Sequence, residues 1–370
     1  MLILDVLLYI FIAIVSIQFI YYVFIFSKFA FAKNNNPSLK KIAISVIVCA
    51  KNEAENLTIL IPKLIEQDFA QFEIVLINDA SSDSSLKIMK SFEANHSNIK
   101  IVDVENNEAF WGNKKYALTL GIKAATHDFL LLTDADCIPK SKHWITTMSS
   151  HFSNEKSIII GYGAYARKGQ SLLNKLIRFE TLLTAIQYFS YAKTGTPYMA
   201  VGRNLAYRKD TFYKVNGFMS HFKIRSGDDD LFVNQAATSK NTDVCFTPNS
   251  FTISEPETSL NQWYKQKRRH ISTANHYKFK HKFMLGLFYI SQLLFWCLAV
   301  ILLVLAFKPL IVISLIVFRL LFQYIIIGSS AKKLEEQDTI WLLPFLECFL
   351  VISQFSIFIT NLISKPKHWR

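Results

Sequence analysis

The residues of this 370-residue chain with the clearest chemical potential are carboxylates at turn-like breaks after apolar runs. In "LLTDADC", Asp134 and Asp136 stand two apart at the end of an apolar run. In extended backbone, residues i and i+2 face the same side, so both carboxylates can converge on one divalent cation, Mg2+ or Mn2+, and on a diphosphate that it binds. Ionised groups at the end of a buried strand need such a compensating charge; the plainer alternative is a pair of ordinary turn aspartates. In "SGDDDL", Asp228, Asp229 and Asp230 follow a small flexible pair and precede an apolar run. That triplet suits a solvated turn, a metal site or a general base for a hydroxyl nucleophile.

Other polar groups recur at similar breaks. "KNEAEN" presents Glu53, and "INDASSDSS" presents Asp79, which can accept hydrogen bonds from a base or ribose, and Asp83, better read as a helix cap. "WGNKKYAL" offers Lys114 and Lys115 to a phosphate, although lysines at a helix start are more commonly solvated. "QKRRH" places Gln266, Arg268 and Arg269 just before an apolar segment, where they suit either a diphosphate or an anionic lipid surface. Neither G-x-x-x-x-G-K-[ST] nor G-x-G-x-x-G occurs, so P-loop and dinucleotide readings lack their fingerprints.

The elements that must position these groups alternate. "KIAISVIVCA", "FEIVLINDA", "IKIVDV" and "DFLLLTDADC" are near-continuous apolar strands, with helical periodicity after the first two and over "KYALTLGIKAAT". That order predicts an α/β domain with a mostly parallel sheet covered on both faces, its ligands at the carboxyl ends of the strands. Beyond Cys137 the alternation weakens. "SLLNKLIRFETLLTAIQYFSYA" carries one apolar stripe that fits either docking on the sheet or lying on a bilayer.

The ends of the chain are different. Leu2 to Phe26 is long enough to cross a hydrocarbon core of roughly 30 Å. It lacks the basic start and small-residue cleavage site of a signal peptide, so it is expected to be a retained anchor. Lys28, Lys33, Lys40 and Lys41 follow it, which places the next domain in the cytoplasm by the positive-inside rule. Three further apolar segments run from Met284 to Phe307, Leu310 to Ser329 and Ile340 to Ser364. Four crossings are expected, but they return the basic tail "SKPKHWR" to the outside, and Pro344 and Glu347 make the last segment the one that could re-enter instead. The expected domains are therefore an anchor over 1–27, a cytoplasmic catalytic domain over 28–283 and a membrane domain over 284–370. The net charge of +13 collects near the membrane ends, which argues for membrane lipids rather than nucleic acid as partner. Five scattered cysteines without C-x-x-C pairing indicate a reduced compartment.

Taken in order, the polar motifs resemble those of the family 2 glycosyltransferases, enzymes of the GT-A fold. "SVIVCAKNEAENL" is similar to that family's Y-N-E-x-x-x-L opening, with Lys51 for the aromatic, and "INDASSDSS" to D-D-x-S-x-D, with Asn78 for the first acid. Lys114 precedes "AL" by three, Asp134 and Asp136 form the D-x-D, and "AVGRNLAYRKDTFYKVNGF" is similar to a G-x-N-x-x-x-R segment. "SGDDDL" stands in place of E-D, and "QKRRH" in place of Q-x-x-R-W, with His270 for the tryptophan.

The resemblance implies a nucleotide-diphosphate-sugar donor, a divalent metal, inversion at the anomeric carbon and a lipid-linked or polysaccharide acceptor. It also implies roles: Glu53, Asp79, Lys114 and Asp134 for the donor, Asp136 with Asp134 for the metal, Asp229 as general base with Asp228 as fallback, and Gln266, Arg268 and Arg269 over the diphosphate or acceptor. The chemistry suits these residue types, because a departing diphosphate gathers negative charge that a metal and arginines stabilise. Two other readings stand beside it, a non-catalytic membrane scaffold that kept the fold and a D-x-D phosphoryl-transfer enzyme. The second lacks the hydroxyl residue expected shortly after Asp136, since Cys137, Ile138 and Pro139 follow.

Overall fold

A computed structural model describes residues 2–34, 42–105, 114–224 and 226–364. Lys40, Lys41, Trp111 to Asn113 and the tail with Lys365, Lys367 and Arg370 lie outside the described residues. The chain divides into two compact units, one of Asn34–Gly169 and Gly195–Glu257, the other of Met1–Lys33, Gln170–Thr194 and Thr258–Pro366.

The first unit is built on strands β1 (Ile44–Ala50), β2 (Phe72–Asp79), β3 (Ile99–Val104), β4 (Phe129–Asp134), β5 (Cys137–Pro139), β6 (Ile158–Ile160), β7 (Gly163–Tyr165), β8 (Leu205–Arg208), β9 (Thr242–Val244) and β10 (Thr252–Ser254). Among the described residues the main sheet runs β3-β2-β1-β4-β8-β6-β9, and β5, β10 and β7 form a small second sheet. β3, β2, β1 and β4 are mutually parallel, whereas β8 pairs antiparallel with both β4 and β6. The parallel half is the one legible as apolar runs, because its strands are covered on both faces: Val46, Ile47, Val48, Ile74, Val75, Leu76 and Ile77 are all fully buried. The strand order reverses between β1 and β4, so the crevice at their carboxyl ends is where such a sheet receives a ligand.

Helices Ala54–Ile65, Ser85–Glu93 and Lys114–Ala124 form the covering layers that join the parallel strands. The last of these sits unusually close to the sheet. A Cβ on Gly121 would lie 2.1 Å from Ile77 Cδ1, so only glycine admits that approach. Beneath β8, the fully buried Asn204 donates from Nδ2 to the Tyr162 and Ser250 carbonyls at 2.9 and 2.6 Å and accepts from Trp144 Nε1 at 3.1 Å. It thereby braces the segment that carries Gly202 and Arg203.

The second unit contains four helices long and apolar enough to cross a membrane, Leu2–Ala30, Phe279–Val304, Pro309–Leu334 and Gln337–Ile363, among the described residues. Two further helices belong to it, Leu172–Lys193, the striped segment noted in the sequence, and Leu260–Thr273, which carries "QKRRH". Pro344 falls in the first turn of the helix Leu343–Ile363, where its missing N–H is not needed. Glu347 is buried, but not unpaired: Arg319 NH2 and NH1 donate to its Oε1 and Oε2 at 2.5 and 2.9 Å, and Gln292 Nε2 donates to Oε1 at 2.8 Å.

Candidate active site

Strands β1, β2 and β4 each deliver an acid or its scaffold to the same edge. β1 is followed by Lys51 and Asn52, and Asn52 takes a left-handed φ of 57° that turns the chain sharply. Its Oδ1 accepts from Ser82 N at 2.8 Å, and its own N–H donates to Ser81 Oγ at 3.0 Å, so the loops after β1 and β2 are tied together. Asp83 completes that tie by accepting from Ala54 N at 3.2 Å and Ser85 N at 2.9 Å, the capping role expected of it.

Within this frame Asp79 is nearly buried at the end of β2, with Lys51 Nζ 3.9 Å from its carboxylate, and burial raises its pKa. Glu53 precedes the helix Ala54–Ile65 and accepts from Asn56 Nδ2 at 2.6 Å. Its pKa is raised by desolvation first, and then by the negative charges of Asp136 and Asp134 despite the Asn56 hydrogen bond.

Asp134 and Asp136 stand together at the end of β4. Their ligand atoms and Cys137 Sγ all lie within 4.8 Å of one another. Cys137 is fully buried and donates its thiol to Asp136 Oδ1 at 3.2 Å; desolvation and the two nearby acids hold its pKa far above the ordinary value. Asp134 and Asp136 are hard oxygen donors, one of them open to solvent, and would suit a divalent cation such as Mg2+ or Mn2+. Desolvation and then the Asp134 charge raise the Asp136 pKa, a mutual repulsion that a bound cation relieves.

Lys114 links this pair to the acidic triplet. Its Nζ lies 2.7 Å from Asp134 Oδ1 and 3.2 Å from Asp228 Oδ2. Burial disfavours the ammonium, but the two carboxylates more than offset that cost and its pKa stands well above the usual value.

The triplet itself divides into three distinct environments. Asp228 is desolvated, yet Lys114 overcomes that effect and holds its pKa below the usual carboxylate range. Asp229 caps the helix Asp230–Ala236: its Oδ1 accepts from Asp230 N at 2.7 Å and its Oδ2 from Gly202 N at 2.6 Å. A Cβ on Gly202 would stand 3.3 Å from that Oδ2, so a side chain there would crowd the carboxylate. Desolvation, and then repulsion from Asp228 and Asp230, push the Asp229 pKa up to about 8. Asp230 is buried in the first turn of the helix, where its charge is favoured by the dipole.

Gln266, Arg268 and Arg269 belong to the other unit, all half-buried on the helix Leu260–Thr273. Arg268 donates from Nε to Asn361 Oδ1 at 2.9 Å and from NH2 to the Ser364 carbonyl at 2.5 Å, and Lys267 pairs with Glu180 at 2.5 Å.

One group in the first unit, Arg203, was not singled out from the sequence, and another, Lys115, was read there as a phosphate contact or a solvated lysine. Arg203 lies over the Tyr165 ring at 4.4 Å, donates to Ser254 Oγ at 2.8 Å and opposes the rise in the Asp136 pKa. Lys115 is fully buried, not solvated. The only sequence signal for Arg203 was its place beside Gly202 in the G-x-N segment.

Comparison with known proteins adds a family. Residues 45–216 match the glycosyl transferase family 2 description. The poly-beta-1,6-N-acetyl-D-glucosamine synthase of Staphylococcus epidermidis is 29% identical over 165 residues, which cover 44% of this chain and 38% of that protein. The poly(ribitol-phosphate) beta-N-acetylglucosaminyltransferase TarS of Staphylococcus aureus is 33% identical over 94 residues, covering 25% of this chain and 16% of that protein. The matched stretch thus spans well under half the length of these relatives. Among solved structures, the mannosyltransferase PcManGT of Pyrobaculum calidifontis, in complex with GDP-Man and Mn2+, shares the fold with a TM-score of 0.59 at 14% identity, over 90% of this chain and 98% of that one.

Proposed function

We propose that this chain, whose residues 45–216 match the glycosyl transferase family 2 description, moves a sugar from a nucleotide-diphosphate-sugar donor to a lipid-linked or polysaccharide acceptor, with inversion, at the cytoplasmic face of a membrane. The observation that carries this reading is the contrast between two adjacent acids. Asp228, held ionised by Lys114, is a weak base, whereas Asp229 is pushed up to about 8, into the range where a carboxylate can take a proton from a hydroxyl.

In this reading Asp79 and Glu53 line the nucleotide pocket, and Asp134 with Asp136 would hold a divalent cation. That cation, when bound, supplies positive charge to the departing diphosphate. Lys114 holds Asp134 and Asp228 in one array, so the donor acids and the base stay in register. The Gly202 and Asp230 N–H groups fix the Asp229 carboxylate while leaving each oxygen a further lone pair for the acceptor hydroxyl. Inversion follows if Asp229 takes the proton as the hydroxyl attacks opposite the leaving diphosphate. Gln266, Arg268 and Arg269 are proposed for the diphosphate or acceptor. The domain division proposed is an anchor over 1–27, a catalytic domain over 28–283 and a membrane domain over 284–370. Lys28 and Lys33 after the first apolar helix support a cytoplasmic catalytic domain.

The relatives' acetylglucosaminyl names make UDP-GlcNAc the first donor to try. The test offers a panel of radiolabelled nucleotide sugars to membranes holding the full chain and native lipid, with Asp229→Asn in parallel. Transfer by the wild type and near-complete loss in Asp229→Asn, with donor binding retained, is expected. Normal transfer by the variant overturns the base assignment, and no turnover with any donor overturns the enzymatic reading.

A further inference from the structure

Lys115 occupies an unusual position for a lysine. It is fully buried, and its ammonium donates to three backbone carbonyls, those of His221 at 2.9 Å, Ile224 at 2.7 Å and Ser226 at 2.7 Å. An ammonium has three donors and no acceptor, so each N–H has a carbonyl partner immediately upstream of Asp228. Lys114, the preceding residue, grips Asp228 itself. The helix bearing both lysines is seated against β2 through Gly121, so it is a firm base from which to hold a loop. Desolvation is the main influence on the ammonium and lowers its pKa to about 8, opposed by Asp228, Asp230 and Asp229. Burial thus disfavours the charge, and the nearby acids offset only part of that cost.

We propose that Lys115 is a positioning residue for the acidic triplet, fixing the chain that leads into Asp228 and Asp229 and hence where the base carboxylate stands. The proposal rests on the reading of Asp229 as base, and its test has an arm that does not. Hydrogen exchange is compared between wild type, Lys115→Met and Lys115→Gln in the full chain, with transfer kinetics beside it. Exchange is expected to rise about 10-fold or more in peptides over 220–232 while the remaining strands keep their protection. kcat is expected to fall about 10²-fold, as for a reacting group displaced by an ångström, with the donor KM within about threefold. Wild-type exchange in a folded Lys115→Met, loss of protection throughout the unit in both variants, or a change confined to KM overturns it. Altered exchange with no sugar transfer by any variant, wild type included, upholds the clamp and overturns the enzymatic reading instead.

A second inference comes from the helical unit and stands on other contacts. Helix Leu2–Ala30 runs antiparallel to Phe279–Val304, since Phe11 stacks on Phe295, Gln18 donates to the Ser291 carbonyl and Tyr21 to that of Met284. Helix Pro309–Leu334 runs parallel to the first, since Arg319 meets Gln18 and Lys333 meets the Ala32 carbonyl. Its end therefore lies on the side of Ala32 and Phe279. The last apolar helix then pairs Glu347 with Gln292 and the Val351 carbonyl with Tyr289, so it runs back toward Phe279. At its far end, Asn361 and Ser364 meet Arg268 on the helix that precedes Phe279 in the chain.

Both ends of this segment are thus on one side, and the geometry points to a re-entrant helix and three crossings, not four. Ser364, after which the sequence is basic, then falls on the same side as Lys28 and Lys33, which suits the positive-inside rule. Epitope tags at the two termini of the full chain, probed in intact and permeabilised cells, decide the matter. Tags on opposite sides are expected, and tags on the same side overturn it.

Discussion

Two clusters of buried charge in this protein are built from the same side-chain chemistry and do opposite things. In the apolar helices, Arg319 meets Glu347 and is completed by Gln18, Gln323 and Tyr22, all of them buried, and Arg319 also faces the Phe295 ring at 4.6 Å. One positive charge answers one negative charge, and neutral amides fill the remaining positions. At the carboxyl edge of the sheet, Lys114 is shared between Asp134 and Asp228 while Asp136 and Asp229 crowd alongside, so the carboxylates outnumber the lysine that binds them. The first cluster is closed and holds helices. The second has more acids than its lysine can answer, and that deficit suits it to a cation and to proton transfer.

The largest test of this contrast is to remove the proton-accepting acid. Asp229→Asn should lower transfer by about 10²–10⁴-fold, the usual worth of a general base, in a protein that still melts normally. Because a base works deprotonated, wild-type kcat/KM should rise with pH toward about 8 and level off above it, and the variant should show no such limb. Next, stripping divalent metal with a chelator should abolish transfer and Mn2+ should restore it. Asp136→Asn should weaken that restoration, seen as a rightward shift in the metal titration. If Asp136→Asn leaves the titration unchanged, the second oxygen donor is misassigned.

Breaking the closed cluster should act on stability alone. Arg319→Leu or Glu347→Leu leaves an uncompensated buried charge and should cost about 3–5 kcal/mol, read as a lower melting temperature in detergent. The double replacement should recover most of it. A melting temperature as low in the double variant as in the singles would count against simple pairing.

The smallest effect should come from a closed pair inside the first unit. His151 Nδ1 lies 2.8 Å from Asp243 Oδ2, and although desolvation opposes its charge, the Asp243 hydrogen bond and the Cys245 neighbour raise its pKa to about 9. A raised histidine pKa stabilises fully below about 6.5 and is lost as pH rises through about 9. Melting temperature should therefore fall by a few degrees across that window, and the fall should be absent in Asp243→Asn.

The parallel strands and the four apolar helices were legible because each is a long, nearly uninterrupted run whose burial on both faces, or in lipid, demands apolar residues. The strands β6, β8 and β9 were not, because three or four residues carry no period to read. The acids of the site were legible for a similar reason, since a charge at the end of an apolar strand is conspicuous. Their division of labour was not. Nothing in "SGDDDL" tells Asp228 from Asp229; Lys114 on one and the Gly202 and Asp230 amides on the other do so, and Lys114 and Gly202 are far away in the chain. Likewise Glu347 read as a defect in an apolar run until Arg319 met it. Sequence alone determined the classes of surface this protein needs, a doubly covered sheet edged with acids and helices matched to lipid, because those follow from local pattern. Which charges meet, and hence which acid stays ionised, which can accept a proton and which merely holds two helices together, was decided by the tertiary structure, because electrostatic energy depends on distances of a few ångströms that the fold alone sets.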